Sequence, residues 1–174
     1  MKFLHFLAFF FLMAPHFAMK TNGDPEVQVY FFLLEDCKIT KSYIPEIRKI
    51  ADDYRGTSID FKAVFSNPSS IPDSVYLFLD SYQLPMDVFF DEDQKLANEF
   101  QIRVMPEVVV VHRKLHKIIY QGRIDNLFAS LGKKRARATT HELRDCLAAL
   151  KQGIIPLPKK TEAIGCFLEK QSKN

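Results

Sequence analysis

The chain contains no tryptophan, few glycines and little net charge. Six glycines and nine prolines in 174 residues show nothing of a collagen-like repeat or a low-complexity tract. The formal charge is only +3, and the basic residues are scattered apart from the run Lys133-Lys134-Arg135. That pattern gives no electrostatic footprint for nucleic acid. The three cysteines, Cys37, Cys146 and Cys166, are an odd count, so at least one thiol has no partner within a monomer. His112, His116 and His141 share no metal-ligand spacing and read as surface residues. Neither a metal nor an organic cofactor is implied.

What is present is an ordinary globular mixture. Hydrophobic residues make up 47% and charged residues 26%, with 16 phenylalanines, enough for one domain with a real core. No internal repeat and no second domain is visible.

The N-terminus stands apart. Lys2 precedes an apolar run, Phe3 to Met13, broken only by His5. Ala18 then precedes the polar stretch from Lys20 to Pro25. Positive start, short apolar stretch and small residue describe a signal peptide over residues 1–18. The run is short of the roughly 20 residues that span a membrane, so no stable span is expected after cleavage. The alternative is an uncleaved anchor. Removal would place the mature chain in an exported compartment, periplasmic or secreted, where disulfides persist.

Along the mature chain the pattern alternates. Val27 to Leu34 is almost continuously apolar and β-branched or aromatic, which predicts a buried central strand. From Cys37 to Tyr54, Ile39, Tyr43, Ile47 and Ile50 form one helical stripe, with Pro45 expected to kink it and Gly56 to close it. Ser58 to Phe65 predicts a second strand, and Ser66 to Ser70 a loop. A helix is expected from Asp73 to Gln83, a short strand from Asp87 to Phe90, and a helix from Asp91 to Phe100 with acids in its first turn. Val108 to Val111 and His116 to Tyr120 predict an antiparallel hairpin. Thr139 and Glu142 have capping-box spacing before a last helix that ends at Gly153. The domain is expected over 26–153 and a tail carrying Cys166 over 154–174. This order predicts an α/β fold: a mostly parallel central sheet, an antiparallel C-terminal hairpin, and helices on both faces.

Cys37 is the strongest chemical feature. It follows a buried strand and opens a helix, where unpaired N–H groups and the helix dipole favour a thiolate. Lys38 and Lys41 add positive charge, and Asp36 opposes it. An inert, buried cysteine at a helix start is the other reading. Pro106 directly precedes a buried strand, which suits a cis bond facing that helix start, or an ordinary trans proline opening a strand. A missing N–H at Pro106 would leave room for another chain to pair with the Met105 backbone. Cys146 falls on the apolar face of the last helix and reads as core.

A strand, a cysteine at the helix start, Pro45 eight residues later and a second proline opening a hairpin resemble the thioredoxin fold. The segment from about Ser66 to Phe90 resembles the insertion of the redoxin branch (the alkyl hydroperoxide reductase/thiol-specific antioxidant superfamily). Asp36-Cys37-Lys38-Ile39-Thr40, Pro45-Glu46, Pro106-Glu107, Gly122-Arg123-Ile124-Asp125 and Gly165-Cys166 are similar to motifs of exported bacterial redoxin-domain proteins, the thiol-disulfide isomerase-like group. Lys38 replaces the usual proline. Thr40 stands where a dithiol thioredoxin has its second cysteine, so the usual loop disulfide cannot form.

The resemblance implies a thiol-disulfide oxidoreductase or peroxidase-like redoxin. Cys37 would be the nucleophile and Cys166 a resolving partner. Pro106, Thr40, Glu107 and Arg123 complete the implied site. Its partners would be protein thiols or disulfides, or a peroxide, with an external reductant. Glu107 is either a proton carrier or a solvent-facing strand residue. Arg123 is expected to pair with Asp125 or to reach Cys37. Three rival readings stand beside this one: a structural Cys37–Cys166 disulfide, a catalytically silent binding module, and a Cu(I) chaperone.

Overall fold

A computed structural model describes residues 25–171; the expected signal peptide lies outside them. Among the described residues no helix is long and apolar enough to cross a membrane.

In chain order the elements are β1 (Val27–Phe32), α1 (Lys38–Asp53), β2 (Ile59–Phe65), α2 (Pro72–Tyr82), β3 (Asp87–Phe90), α3 (Lys95–Glu99), β4 (Val104–Met105) and β5 (Glu107–His112). There follow β6 (Lys117–Gly122), β7 (Phe128–Ser130), β8 (Lys133–Lys134), α4 (Glu142–Lys151), β9 (Lys159–Lys160) and β10 (Cys166–Phe167). The main sheet has the order β3-β2-β1-β5-β6-β9. β1, β2 and β3 run parallel, β5 is antiparallel to both β1 and β6, and β9 returns parallel to β6.

The pattern of β1 explains its central place. Its pleat sends Val27, Val29 and Phe31 into one apolar layer and Phe32 into the other, and all are buried. The first layer packs α1, α2 and α4 on the sheet through Ile47, Ile50, Val75, Phe78, Leu143 and Leu147. The second holds Ala97 of α3 and Phe100 against Phe32, Val64 and Val109. Helices therefore cover both faces. Each large buried side chain contributes on the order of 1.5–3 kcal/mol. The stripe expected on α1 is observed: Ile39, Tyr43, Ile47 and Ile50 are buried, and the helix runs on through Pro45.

Several local expectations are corrected. α3 begins at Lys95, because the buried Asp91 is spent as its cap: its carboxylate accepts the N–H groups of Leu96 and Ala97 at 2.9 and 2.8 Å. α4 has no capping box; Glu142 turns to Arg123 and Thr140. The basic run includes a short strand: Lys133–Lys134 pairs with β7, and Lys134 lies over the Phe128 ring. His112 is buried, with Nε2 3.6 Å from Glu26. Most important, the described part of the expected tail, residues 154–171, is fastened to the rest of the domain. Lys159–Lys160 adds the last strand of the main sheet, and Cys166–Phe167 pairs with β4.

Candidate active site

β1 ends beneath the start of α1, and the turn between them carries Glu35, Asp36 and Cys37. Cys37 is the N-cap residue of α1, with extended backbone angles, and its side chain caps no N–H. The Cys37 N–H instead bonds back to Leu34 O at 3.1 Å. The side chain points inward, and the residue is 2% exposed. Cys37 and Cys166 are joined in a disulfide, with Cα atoms 6.1 Å apart across 129 residues of sequence.

Pro106 lies beside this bond, and the Met105–Pro106 peptide is cis. Met105 is fully buried, and its carbonyl oxygen is 3.5 Å from Cys37 Sγ. The same residue pairs with Cys166: β10 runs antiparallel to β4, with Cys166 opposite Met105 and Phe167 opposite Val104. The chain's own tail thus occupies the backbone position beside Pro106. Gly165 permits that approach, since a Cβ there would stand 2.2 Å from Met105 O. Just beyond the disulfide, Phe167 is 72% exposed.

Thr40, one turn into α1, is fully buried, and its Oγ1 has no hydrogen-bond partner. A buried hydroxyl left in this state costs about 1–3 kcal/mol. Asp36, Lys38 and Lys41 are exposed, and Lys41 Nζ is 4.0 Å from Asp36 Oδ1. At that distance and exposure the pair contributes little.

Glu107 is neither solvent-facing nor beside the cysteines. It pairs with Phe32 across the ladder, in the layer opposite α1. Gln121 Nε2 donates to its Oε1 at 2.9 Å and to Phe100 O at 2.7 Å. Burial raises the Glu107 carboxyl above its usual value, and the Gln121 bond and Lys160 pull against that rise.

Arg123 does not pair with Asp125. Its Nε donates to Glu142 Oε1 at 3.2 Å, and the guanidinium is thereby committed to that carboxylate. Burial would raise the Glu142 carboxyl, but bonds from Arg123 and Thr140 hold it below its usual value. Asp125 accepts the Leu127 N–H at 2.8 Å, and its backbone carbonyl accepts the Tyr43 hydroxyl at 3.1 Å. Burial raises the Asp125 carboxyl. Asp125 also lies close to Glu46 and His141, with one ligand atom of each within 4.8 Å of the others. Glu46 is already engaged by Arg144 there. Cys146 is buried and free, and burial pushes its thiol up to about 12. That is the environment of an inert core thiol.

Three residues escaped the sequence reading. Glu35, two positions before Cys37, is buried and accepts Ser70 Oγ at 2.7 Å and Ser74 Oγ at 3.1 Å. Asn67 and Gln94 are also buried, and both bond to the tail. A polar residue in a Ser/Asn/Pro loop carries no sequence signal for a partner some hundred positions away.

No family model matches the chain, and no curated protein sequence does. Solved structures do. An uncharacterised conserved protein from Geobacillus kaustophilus is similar at a TM-score of 0.75 and 23% identity, over 86% of this chain and 80% of that one. A secreted disulfide oxidoreductase of Mycobacterium tuberculosis is similar at 0.52 and 12% identity, over 75% and 84%. A thioredoxin-like protein of Aeropyrum pernix is similar at 0.53 and 15% identity, over 76% and 81%. The chain is a thioredoxin-like protein by its fold. In this chain a helix-start cysteine is joined to a tail cysteine, with threonine at the position three residues on.

Proposed function

We propose that this protein is an exported thiol-disulfide oxidoreductase in which Cys37 and Cys166 are the redox couple. The carrying observation is the Cys37–Cys166 disulfide at the start of α1, beside the Met105–Pro106 bond. The first eighteen residues, with their signal-peptide pattern, support export, and a secreted oxidoreductase shares the fold. Protein thiols and disulfides are the substrate class.

In the reductive direction the couple starts as two thiols. The Cys37 thiolate attacks one sulfur of a substrate disulfide, and the other substrate sulfur leaves as a thiolate. Cys166 then attacks the Cys37 sulfur of the mixed disulfide. The substrate's second thiolate leaves, and the Cys37–Cys166 disulfide is restored. Two electrons have passed to the substrate, and an external thiol or dithiol must return them. The oxidative direction is the reverse.

Several local groups serve this cycle. Thr40 lies three residues after Cys37 on α1 and its buried hydroxyl lacks a partner, so the opened Cys37 thiolate is the acceptor we propose for it. The Met105 carbonyl, 3.5 Å from that sulfur, is an acceptor for the neutral thiol. The backbone of Met105 is the element with which a partner segment pairs once β10 has lifted. Glu107 and Arg123 take no part: one carboxyl is bonded to Gln121 and the other residue's guanidinium to Glu142.

The test is a trap. Reduced Cys166→Ser protein mixed with a disulfide-bonded substrate is expected to accumulate a mixed disulfide through Cys37, resolved by mass. Cys37→Ser is expected to form none. Equal adduct formation by both variants, or none by either, contradicts the assignment.

A further inference from the structure

The tail is fastened on both sides of Cys166 by bonds that do not involve sulfur. Upstream, Lys159–Lys160 pairs with Tyr120 and Gln121 of β6. The Thr161 N–H donates to Gln121 O at 2.9 Å, and Thr161 Oγ1 accepts the Arg123 N–H at 3.1 Å and meets the Tyr120 hydroxyl at 2.7 Å. Downstream, the Leu168 N–H donates to Arg103 O at 2.9 Å. The Glu169 N–H donates to Asn67 Oδ1 at 2.9 Å, and Gln94 Nε2 donates to Glu169 O at 2.6 Å. The Gln171 N–H donates to Gln94 Oε1 at 3.2 Å.

Asn67 and Gln94 are the unusual members of this set. Both are about nine-tenths buried or more, at 6% and 5% exposure. Each has local bonds that fix its amide: Asn67 Nδ2 donates to Ser69 Oγ, and Gln94 Nε2 donates to Ser66 O. The oxygen of each is then left facing the tail, where it receives a backbone N–H. Glu35 completes the support. Its carboxylate holds Ser70 and Ser74, and so ties the Asn67 loop to the turn that carries Cys37. One framework therefore positions both sulfurs.

We propose that Asn67 and Gln94 are positioning residues that keep the tail docked when the Cys37–Cys166 disulfide is open, so that Cys166 stays poised over Cys37. The proposal rests on the redox reading of this pair. Two cysteines 129 residues apart then act as a preorganised dithiol. Their effective concentration is set by hydrogen bonds of the tail, not by the length of chain between them. The strap also sets a condition on substrates: a partner reaches the Met105 edge only by displacing β10.

The consequence is a thiol equilibrium. Two glutathione molecules reduce the disulfide: the first forms a mixed disulfide and frees one cysteine, and the second leaves as oxidised glutathione and frees the other. Loosening the tail lowers the effective concentration and favours the dithiol. The equilibrium constant for ring closure is expected to fall about fivefold in Asn67→Ala and about tenfold in Gln94→Ala. Asn67→Asp keeps an oxygen for the Glu169 N–H, and is expected to stay within about twofold of the parent.

A second measurement needs no sulfur chemistry. In the Cys37→Ser/Cys166→Ser double variant, the amides of Leu168, Glu169 and Gln171 are expected to remain protected from hydrogen exchange. Exchange of these amides at the free-peptide rate would overturn the proposal. So would an unchanged closure constant in both alanine variants. A Cys37 that exchanges with no disulfide defeats the redox reading instead, and the amide measurement still decides whether the tail is docked.

Discussion

Cys166 stands opposite Met105 in a two-residue antiparallel ladder, and the carbonyl oxygen of that same Met105 lies 3.5 Å from the sulfur of Cys37. One buried residue thus registers both halves of the disulfide. Backbone pairing holds the tail cysteine, and the Met105 carbonyl faces the sulfur at the start of α1. The position beside Pro106, open to another strand in principle, is taken by the protein's own C-terminal segment.

Gly165 is the test of that pairing. A methyl group there would meet Met105 O at 2.2 Å and Met105 C at 2.5 Å, both backbone atoms that cannot swing aside. Gly165→Ala is expected to push β10 off β4, with a stability loss of about 1–3 kcal/mol. Thermal unfolding of the oxidised protein measures it. The same variant is expected to shift the glutathione equilibrium towards the dithiol.

The three thiols should differ sharply in labelling. In oxidised native protein none is expected to react with a small alkylating agent, since Cys37 and Cys166 are joined and Cys146 is buried with its thiol pushed up to about 12. After reduction, half-buried Cys166 is expected to label readily in the native state, Cys37 more slowly, as β10 lifts from β4, and Cys146 only on unfolding. Peptide mass mapping reads all three.

Much of this was legible in the sequence for definite reasons. The apolar run of β1 and the stripe of Ile39, Tyr43, Ile47 and Ile50 on α1 show their burial in their spacing. Cys37 was visible because a strand end followed by a helix start is a local pattern. Its partner Cys166 came from the resemblance, not from spacing. What stayed hidden was non-local. Glu107 alternates into the far layer because β5 is buried on both faces, so neighbours in sequence gave no warning of its surroundings. Arg123 chose Glu142 over the nearby Asp125 because α4 brings that carboxylate alongside. Asn67 and Gln94 serve a strap that begins some sixty residues or more beyond them, and nothing in a polar loop announces such a partner.

Thr40 offers a chemical test. Its hydroxyl has no partner while the disulfide is closed. If it donates to the Cys37 sulfur in the reduced state, Thr40→Val removes one charge-assisted bond. Alkylation of Cys37 at neutral pH is then expected to slow by about tenfold, and Thr40→Ser to restore the rate. A stopped-flow alkylation series across pH separates this from a loss of folding.

Glu107 should leave a mark on the pH dependence of stability. Burial raises its carboxyl in the folded state above the value it has in the unfolded chain. The native state therefore holds the proton more tightly. The stabilisation is complete below the unfolded value, and is lost as pH rises through the folded one. Glu107→Gln keeps an oxygen for Gln121 and removes the charge. It is expected to be more stable than the parent at pH 7, with the difference vanishing below about pH 4. Urea unfolding at several pH values measures it.

The redox titration of the native protein in mixtures of reduced and oxidised glutathione, read by mass after acid quenching, bears most directly on the central claim. The expected result is a reversible two-electron transition in which the Cys37–Cys166 bond opens and closes while the fold persists. A disulfide that stays shut across the whole range, and opens only when the protein unfolds, would make it a structural staple and contradict the redox function.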